Sequence, residues 1–506
     1  MKSFFKTVAL VSVFSVSEKF LGFLYRIFLS RTIGAEGVGL YQVALSVFGL
    51  FYTVACSGIP VTVSRLMTKY RAENQKTRSQ KVVSAGFLLT LSFAIPLTLI
   101  FFLFRGSFSF LFSDERCMNV FTVIIPGLSF TCVYSVLRGV FWGEKNFLPY
   151  SIIELLEEAV MIISGIILIH FASSPYSGAI RAGVAVLISY LFSFLLSTTY
   201  FFIKNNRLKN PKTELKPLFK SAMPVTAMRT ANTVSVSLIS IILPSRLIDA
   251  GLTSSKAMST FGAVVGQAFP LLSVPTMAIS AFTLVLMPEI SEQFYKNDYK
   301  SLKSSVEKAL KITVILSCLF IPVFFVLGEQ IGIIVFNNAE SGKYLSVSAF
   351  LMLFMGLSSI TTSILNSMGL ENKTLIFFSI SGLLMIVAIW FLPKFMGVYS
   401  LLVGFSCTYG LSSLFNLMLL KKACKEKPKY LKFTLLSLLT IVPTSILGIM
   451  LKSLLLPYLG TIFTFFIVGL LMLIFALLFT FSIGACEYQS VKKLLLKKFK
   501  HKKRPA

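Results

Sequence analysis

Long apolar segments alternate along the chain with short segments rich in basic residues. An apolar helix of about 20 residues crosses the roughly 30 Å hydrocarbon core of a bilayer. The pattern predicts an all-α polytopic membrane protein whose first span is retained rather than cleaved. Its fourteen spans are predicted at residues 7–30, 40–64, 82–104, 118–142, 148–171, 181–203, 219–246, 259–287, 309–328, 344–367, 374–392, 397–420, 431–451 and 459–484.

The 48 Lys and Arg residues fall mostly in every second connecting segment, counted from the N-terminus. Basic residues are retained on the cytoplasmic side of membrane proteins. We therefore predict a protein of the cytoplasmic membrane with both termini in the cytoplasm. This distribution accounts for most of the net charge of +28, so we expect no nucleic-acid partner. The tail VKKLLLKKFKHKKRP predicts a surface helix that binds anionic lipids, or, alternatively, a specific partner.

Composition supports this class, because 55% of residues are hydrophobic and only 13% are charged, too few for the surface of a soluble chain. The seven cysteines are scattered and form no C-x-x-C pair, so the sequence indicates neither a disulfide framework nor a metal site. We also expect no cofactor and a monomeric protein.

Two similar stretches suggest an internal repeat. Trp142 to Asn146 (WGEKN) end the fourth span, and Met368 to Asn372 (MGLEN) end the tenth. Two halves of six spans each enter from the same side, an arrangement found in transporters whose site lies between the halves. Chance similarity between apolar segments is the alternative. The predicted parts are an N-terminal lobe (1–203), a basic linker (204–218), a C-terminal lobe (219–420), two further helices (421–484) and the basic tail (485–506).

Several spans carry charged residues at membrane depth, where a charge costs at least a few kcal/mol and usually faces a protein interior or a wet cavity. Glu154, Glu157 and Glu158 share one face of the fifth span, since they are three and four residues apart. We predict that substrate binds at Lys19, Tyr25, Arg26, Arg229 and Asn232, and that the acids of the cavity or of ion coupling are Glu18, Glu154, Glu157 and Glu158.

Two interpretations of these charges remain open. In one, they line a hydrated chamber, where the bases bind phosphate and the glutamates bind a coupling proton or cation. In the other, Lys19 or Arg229 pairs with the glutamates of the fifth span and only fixes the helices in register. Coupling to Na⁺, to H⁺ or to the membrane potential is equally open.

Prolines within spans predict bends, because proline removes a helical hydrogen bond. Pro60 lies in the second span, and Pro270 and Pro275 lie in the eighth. We predict that these prolines take part in gating, together with Arg65 and Arg138 at cytoplasmic ends of spans. An ordinary structural kink is the alternative.

Four stretches together resemble a known group of transporters: Leu21 to Gln42 (LGFLYRIFLSRTIGAEGVGLYQ), Ser57 to Leu66 (SGIPVTVSRL), Leu137 to Asn146 (LRGVFWGEKN) and Phe269 to Glu292 (FPLLSVPTMAISAFTLVLMPEISE). They are similar to the polysaccharide-transporter branch of the MOP flippase superfamily, including the stage V sporulation and MurJ-like lipid II flippases. The resemblance implies a V-shaped, MATE-like bundle of two six-helix lobes and two C-terminal helices. It also implies alternating-access export of an undecaprenyl-linked oligosaccharide or peptidoglycan precursor, for spore cortex or cell-wall synthesis.

The resemblance also implies that basic residues line the central cavity. Lys19 falls at one such position, next to the L-G-F of residues 21–23, whereas Tyr25 occupies a second, with Arg26 beside it. The glutamates of the fifth span depart from the pattern and leave room for a different lipid-linked glycan.

Three other functions remain as alternatives. A multidrug exporter of the same superfamily would use the acids to bind an organic cation. A scaffold for wall synthesis would need no charge at the membrane midplane. An enzyme acting on lipid-linked sugars would need a sizeable outer domain, for which the short outer loops leave no room, so we expect no catalytic residues.

Overall fold

The computed structural model describes residues 2–204, 207–424 and 431–482 of the 506-residue chain. It does so without the side chains of residues 2–10, 12, 231–232, 235, 278, 280–285, 288 and 431–432. Regular structure in these ranges is helical throughout, as the apolar pattern predicts.

The α-helices are α1 (Lys2–Cys56), α2 (Ile59–Ala72), α3 (Lys76–Leu103), α4 (Glu115–Ile124), α5 (Gly127–Gly143), α6 (Phe147–His170), α7 (Pro175–Ile203), α8 (Lys212–Asp249), α9 (Ser254–Phe261), α10 (Phe269–Tyr295), α11 (Tyr299–Phe336), α12 (Ala339–Ser348), α13 (Leu351–Ser367), α14 (Glu371–Phe391), α15 (Pro393–Met396), α16 (Ser400–Ala423), α17 (Leu431–Leu439) and α18 (Ile441–Ser482). Short 3₁₀ helices cover Arg105–Leu111 and Gly397–Tyr399, and a π-helix, Gly262–Ala268, connects α9 to α10.

Glycines break the two helices that cover more than one predicted span. Gly34 in α1 and Gly460 in α18 both adopt φ 67° and ψ 179°, which glycine reaches without the strain that a Cβ would cause. The first break lies between predicted spans one and two, and the second lies at the start of predicted span fourteen.

Within the described residues, eight helices are long and apolar enough to cross a membrane, or ten if each of two bent pairs is one span. The pairs are α4 with α5, bent by 49°, and α12 with α13, bent by 61°. These helices confirm a multi-pass, all-α membrane protein. Each predicted span lies mostly on helical structure wherever the chain is described, although turns at residues 57–58, 125–126, 349–350 and 440 interrupt four of them. The count of fourteen crossings stays a prediction.

One compact unit comprises residues 1–267 and 392–398. Its core lies among α2, α3 and α5, where the buried side chains of Val63, Val83 and Leu137 meet. Glycine permits a close crossing of α2 and α5, because a Cβ at Gly139 would lie 2.9 Å from the Cα atom of Pro60.

The second compact unit comprises residues 268–391 and 399–506. Leu302, Ile360 and Leu420 belong to its core. Polar side chains also join its helices, since Asn416 Nδ2 donates to the hydroxyl of Thr362 at 2.9 Å.

The compact units do not coincide with the predicted lobes, because α8 and α9 belong to the first unit. The physical reason is a series of hydrogen bonds that joins α8 to α1 and α2. The two-lobe repeat and its boundaries stay predictions. Residues 205–206 of the predicted linker and the predicted tail helix lie outside the described residues.

Candidate functional site

Helices α1 and α6 bring together the charged residues predicted in the first and fifth spans. Glu18 lies within electrostatic reach of Glu154. Further along both helices, Gly22 meets Glu158 and Tyr25 meets Gly165. The contacts advance in the same direction on both helices, so α1 and α6 run parallel, as two odd-numbered spans must.

The side chain of Glu158 contacts α1 at Gly22, which has no side chain. A Cβ atom built on Gly22 would lie 2.9 Å from Glu158 Oε1. Glu18 and Arg26 are the charged groups whose fields act on this carboxylate. Its neighbour Glu157 faces the hydroxyl of Ser193 on α7. The three glutamates therefore have different surroundings although they share one helix.

Arg138 is the base that the structure pairs with a glutamate of α6. Its guanidinium lies 3.5 Å from Glu154 Oε1 and donates to the hydroxyl of Tyr52 at 3.1 Å. It also lies 5.4 Å from the ring centroid of Trp142. Sequence reasoning assigned Arg138 to the end of a span and missed this pair. The signal was available, because Arg138 is a basic residue in an apolar helix that precedes the acid-bearing helix.

Arg26 is half-buried and contacts a neutral group. Its Nη1 donates to the carbonyl oxygen of Gly266 in the π-helix, at 3.4 Å. Tyr25, beside it, is buried, and its ring lies against Gly165. Among the described residues, the Tyr25 hydroxyl has no hydrogen-bond partner.

The other two predicted bases are exposed. Lys19 lies on the surface of α1. Arg229 donates to the carbonyl oxygen of Ser57 at 2.9 Å. Neither forms an ion pair with a glutamate of α6 in the described part of the chain. The side chain of Asn232 lies outside the described residues.

Helix α8 joins α1 and α2 through a series of polar contacts. The hydroxyls of Ser46 and Ser240 are 2.9 Å apart, those of Thr53 and Thr233 are 3.2 Å apart, and Arg65 donates to Ser221. The pairing runs antiparallel, as the predicted second and seventh spans require.

The three predicted prolines lie at breaks or within a helix. Pro60 occupies the first turn of α2, directly after the turn at residues 57–58 that interrupts the second span. Pro270 occupies the first turn of α10, directly after the π-helix. Pro275 is buried within α10.

An ion-pair network also connects the segment before α4 to α1 and α9. Both carboxylate oxygens of Asp114 accept from Arg116, whose Nη1 also donates to Glu36 at 2.7 Å. Ser254 donates a further hydrogen bond to Asp114. Burial acts to raise the pKa of Asp114, but the hydrogen bonds from Arg116 and Ser254 outweigh it and hold the pKa below its ordinary value.

A cavity of about 440 Å³ lies apart from the charges of α1 and α6. It is bounded by α2, α3, α5 and α7, and Arg71 and Lys76 are among its lining residues. None of the predicted site residues lines it. In the described residues, no group of His, Cys, Asp and Glu side chains has the arrangement of a metal site.

Residues 4–294 match the sequence family described as "Polysaccharide biosynthesis protein". The chain belongs to that family. It is 26% identical to Stage V sporulation protein B of Bacillus subtilis (strain 168), over 70% of this chain and 71% of that protein. It is 22% identical to the Lipid II flippase MurJ of the same organism, over 58% of this chain and 59% of that protein.

Solved structures show the same fold. The Lipid II flippase MurJ in an inward closed conformation matches with a TM-score of 0.73 at 15% identity, over 94% of this chain and 99% of that one. A multidrug resistance MATE family transporter of the MOP superfamily matches with a TM-score of 0.67 at 15% identity, over 81% and 96%. The resemblance read from the sequence is confirmed, and the chain has the fold of MOP transporters.

Proposed function

We propose that this member of the polysaccharide biosynthesis protein family is a flippase that exports a lipid-linked glycan precursor by alternating access. One observation carries the proposal: Lys19, Arg26 and Arg229 lie in predicted spans and are not neutralised by ion pairs with the glutamates of α6. Bases in this state are available to an anionic head group. The similarity to Stage V sporulation protein B and MurJ supports an undecaprenyl-linked substrate for peptidoglycan or spore cortex.

The physical need for such a protein follows from the substrate. An ionised diphosphate-sugar head resists leaving water, whereas its prenyl tail is soluble in hydrocarbon. A cationic compartment that opens to one side at a time would carry the head while the tail stays in lipid. With the termini in the cytoplasm, an inside-negative potential would favour outward movement by about 2.3 kcal/mol per charge per 100 mV.

The glutamates of α6 are proposed to bind the coupling proton or cation. Glu154 forms an ion pair with Arg138, whereas Glu157 and Glu158 form no ion pair among the described residues. Carboxylates without a paired base in an apolar region are suited to take up a proton or a cation. Changes in the charge of Glu158 would act directly on Arg26, whose field reaches it.

An exporter of organic cations is the second candidate, because predicted spans one and five, on α1 and α6, together carry four acids, whereas the bases Lys19 and Arg26 lie on α1 alone. In that case the acids would bind the organic cation, and the bases would only offset part of the negative charge of the acids. A scaffold function predicts that the protein transports neither a lipid-linked precursor nor an organic cation.

The deciding experiment replaces a cell's essential lipid II flippase by this chain and measures on which side of the membrane the precursor accumulates. Export that depends on Arg26 would support the proposal. Accumulation on the cytoplasmic side, combined with efflux of a labelled organic cation from the same cells, would support the exporter instead.

A further inference from the structure

The cavity of about 440 Å³ bounded by α2, α3, α5 and α7 takes no part in the site at α1 and α6. Its volume is within the range of about 300–1,000 Å³ that is usual for ligand pockets. Four polar side chains line it, namely Arg71 near the end of α2 and Lys76, Ser79 and Gln80 at the start of α3. Among the described residues that line the cavity, none is acidic. Its polar side is therefore cationic.

One face of α3 forms this polar side. The residues of α3 that line the cavity are three or four positions apart and share one side of the helix: Lys76, Ser79, Gln80 and Val83. Arg78 lies outside this set and forms an ion pair with Glu214 at 2.7 Å. The first turn of α3 thus uses one base to join α8 and presents another to the cavity.

The polar side chains of this face have no partners within the described part of the chain. No side-chain hydrogen bond or ion pair there involves Lys76, Ser79 or Gln80. Ser79 is only 3% exposed, and buried hydroxyls nearly always have a hydrogen-bond partner. Gln75 gives the start of α3 no side-chain cap, so the positive end of the helix is not compensated there. An anion in the cavity would satisfy these groups together.

Arg71 adds a charge that is only partly used within the protein. Its Nη2 atom forms an ion pair with Glu144 Oε1 at 2.7 Å. A guanidinium has further N–H donors, and its planar fork suits phosphate oxygens. The ion pair therefore orients Arg71 and leaves donors for a ligand.

The apolar side of the cavity indicates where the ligand comes from. Val83, Val140 and Phe201 line this side, and each lies within three residues of the end of a predicted span. The polar lining residues lie outside every predicted span. The cavity thus has its bases at the level of the lipid head groups and its apolar wall where the acyl chains begin. A free phosphate compound needs no such wall, whereas a phospholipid does.

We propose that this cavity binds the phosphate head group of an anionic membrane lipid through Arg71, Lys76 and Ser79. Basic pockets between helices at the membrane surface are suited to such head groups. A bound lipid would connect the ends of α2, α3, α5 and α7. The inference goes beyond the proposed function and does not depend on it, because the cavity is separate from the charges of α1 and α6.

Thermal unfolding of the full-length protein in a neutral detergent, titrated with phosphatidylglycerol, tests the proposal. Lys76→Gln removes a charge from the cavity, whereas Ser79→Leu keeps both bases and fills part of the space. Lys69→Gln is the matched control, since Lys69 is an exposed base in the last turn of α2 that does not line the cavity. We expect phosphatidylglycerol to raise the unfolding midpoint of wild type and of Lys69→Gln alike. Each cavity variant should need about ten-fold more lipid for half of the shift.

Equal responses of wild type, Lys76→Gln and Ser79→Leu would overturn the proposal, because lipid would then bind only to surface charge or to the basic tail, which all variants share. An unresponsive wild type would overturn it as well. If one cavity variant does not fold, the other decides.

Two further titrations of the wild type identify the source of the phosphate. Soluble glycerol phosphate should leave the midpoint unchanged, and zwitterionic phosphatidylcholine should shift it less than phosphatidylglycerol does. A shift by glycerol phosphate equal to that by phosphatidylglycerol would refute the assignment to a lipid. A shift by phosphatidylcholine of the same size would refute the preference for an anionic head group.

Discussion

The carboxylate of Glu158 lies directly on Gly22, so that a methyl group at position 22 would come within 2.9 Å of Oε1. This contact joins the acid-bearing face of α6 to the helix that carries Lys19 and Arg26. Only glycine admits a carboxyl oxygen so close to the backbone of α1.

Gly22→Ala is expected to displace the carboxylate of Glu158 rather than to unfold the protein, because a glutamate terminus moves at low cost. We expect an unfolding free energy within about 1 kcal/mol of wild type and an altered dependence of transport on pH or coupling ion. Gly49→Ala is the control on the same helix, since a Cβ there meets nothing within 4 Å. Identical ion dependence in both variants would mean that the contact has no role in coupling.

Replacing Glu157 and Glu158 together by glutamine should change the pH or cation dependence of export, because the amide neither ionises nor exchanges a proton. The measurement is the initial export rate in vesicles as a function of internal and external pH and Na⁺. Glu115→Gln provides an exposed acid in the first turn of α4 as a control. An unchanged profile in the double variant would assign both glutamates a structural role.

Arg26→Gln and Lys19→Gln should each weaken substrate binding while the protein remains folded in the membrane. A hydrogen bond to a charged group contributes about 1.5–3 kcal/mol, which corresponds to roughly 10- to 100-fold in affinity. Precursor export and thermal unfolding should be measured together, with the exposed Lys394→Gln as control. Full export by both variants would argue against an anion site at α1.

Asp114→Asn should destabilise the protein by about 1–3 kcal/mol, because the buried end of the Arg116 network loses its charge. The lowered pKa of Asp114 means that the carboxylate contributes stability above its ordinary pKa of about 4, and that this stability is lost as the pH falls through the lowered folded-state value.

The Asp114→Asn variant should therefore lose less stability on acidification than wild type, as measured by thermal unfolding over a pH series. Asp249→Asn is the matched control, since Asp249 is exposed and pairs with Arg246 at 3.0 Å on one helix. Such a surface pair contributes about 0–1 kcal/mol. Comparable losses of stability in Asp114→Asn and Asp249→Asn would contradict the prediction that the buried network contributes more than the surface pair.

The membrane topology can be tested with single cysteines in a cysteine-free protein. Cysteines at Gln75 and Asn210 should react with an impermeant reagent only from the cytoplasm, and those at Ser113 and Ala250 only from outside. Any reversal contradicts the arrangement inferred from the basic residues.

The sequence by itself determined the helical class, the position of each apolar segment and the presence of charge within them. Hydropathy and the distribution of Lys and Arg are local properties of the sequence. They determine which segments enter the bilayer and in which orientation, so no tertiary contact needs to be known. The spacing of Glu154, Glu157 and Glu158 likewise fixed their common face, because helix geometry is periodic.

Only the tertiary structure decided which partner each charge has. Arg138 pairs with Glu154, Arg229 binds the carbonyl of Ser57, and Arg26 binds that of Gly266, 240 positions away in the chain. Such pairings depend on how helices distant in sequence pack, and on backbone groups such as the Gly266 carbonyl that every residue type carries. A one-dimensional pattern contains neither kind of information. The sequence could therefore leave the pairing of Lys19 or Arg229 with the glutamates of α6 only as one of two open interpretations.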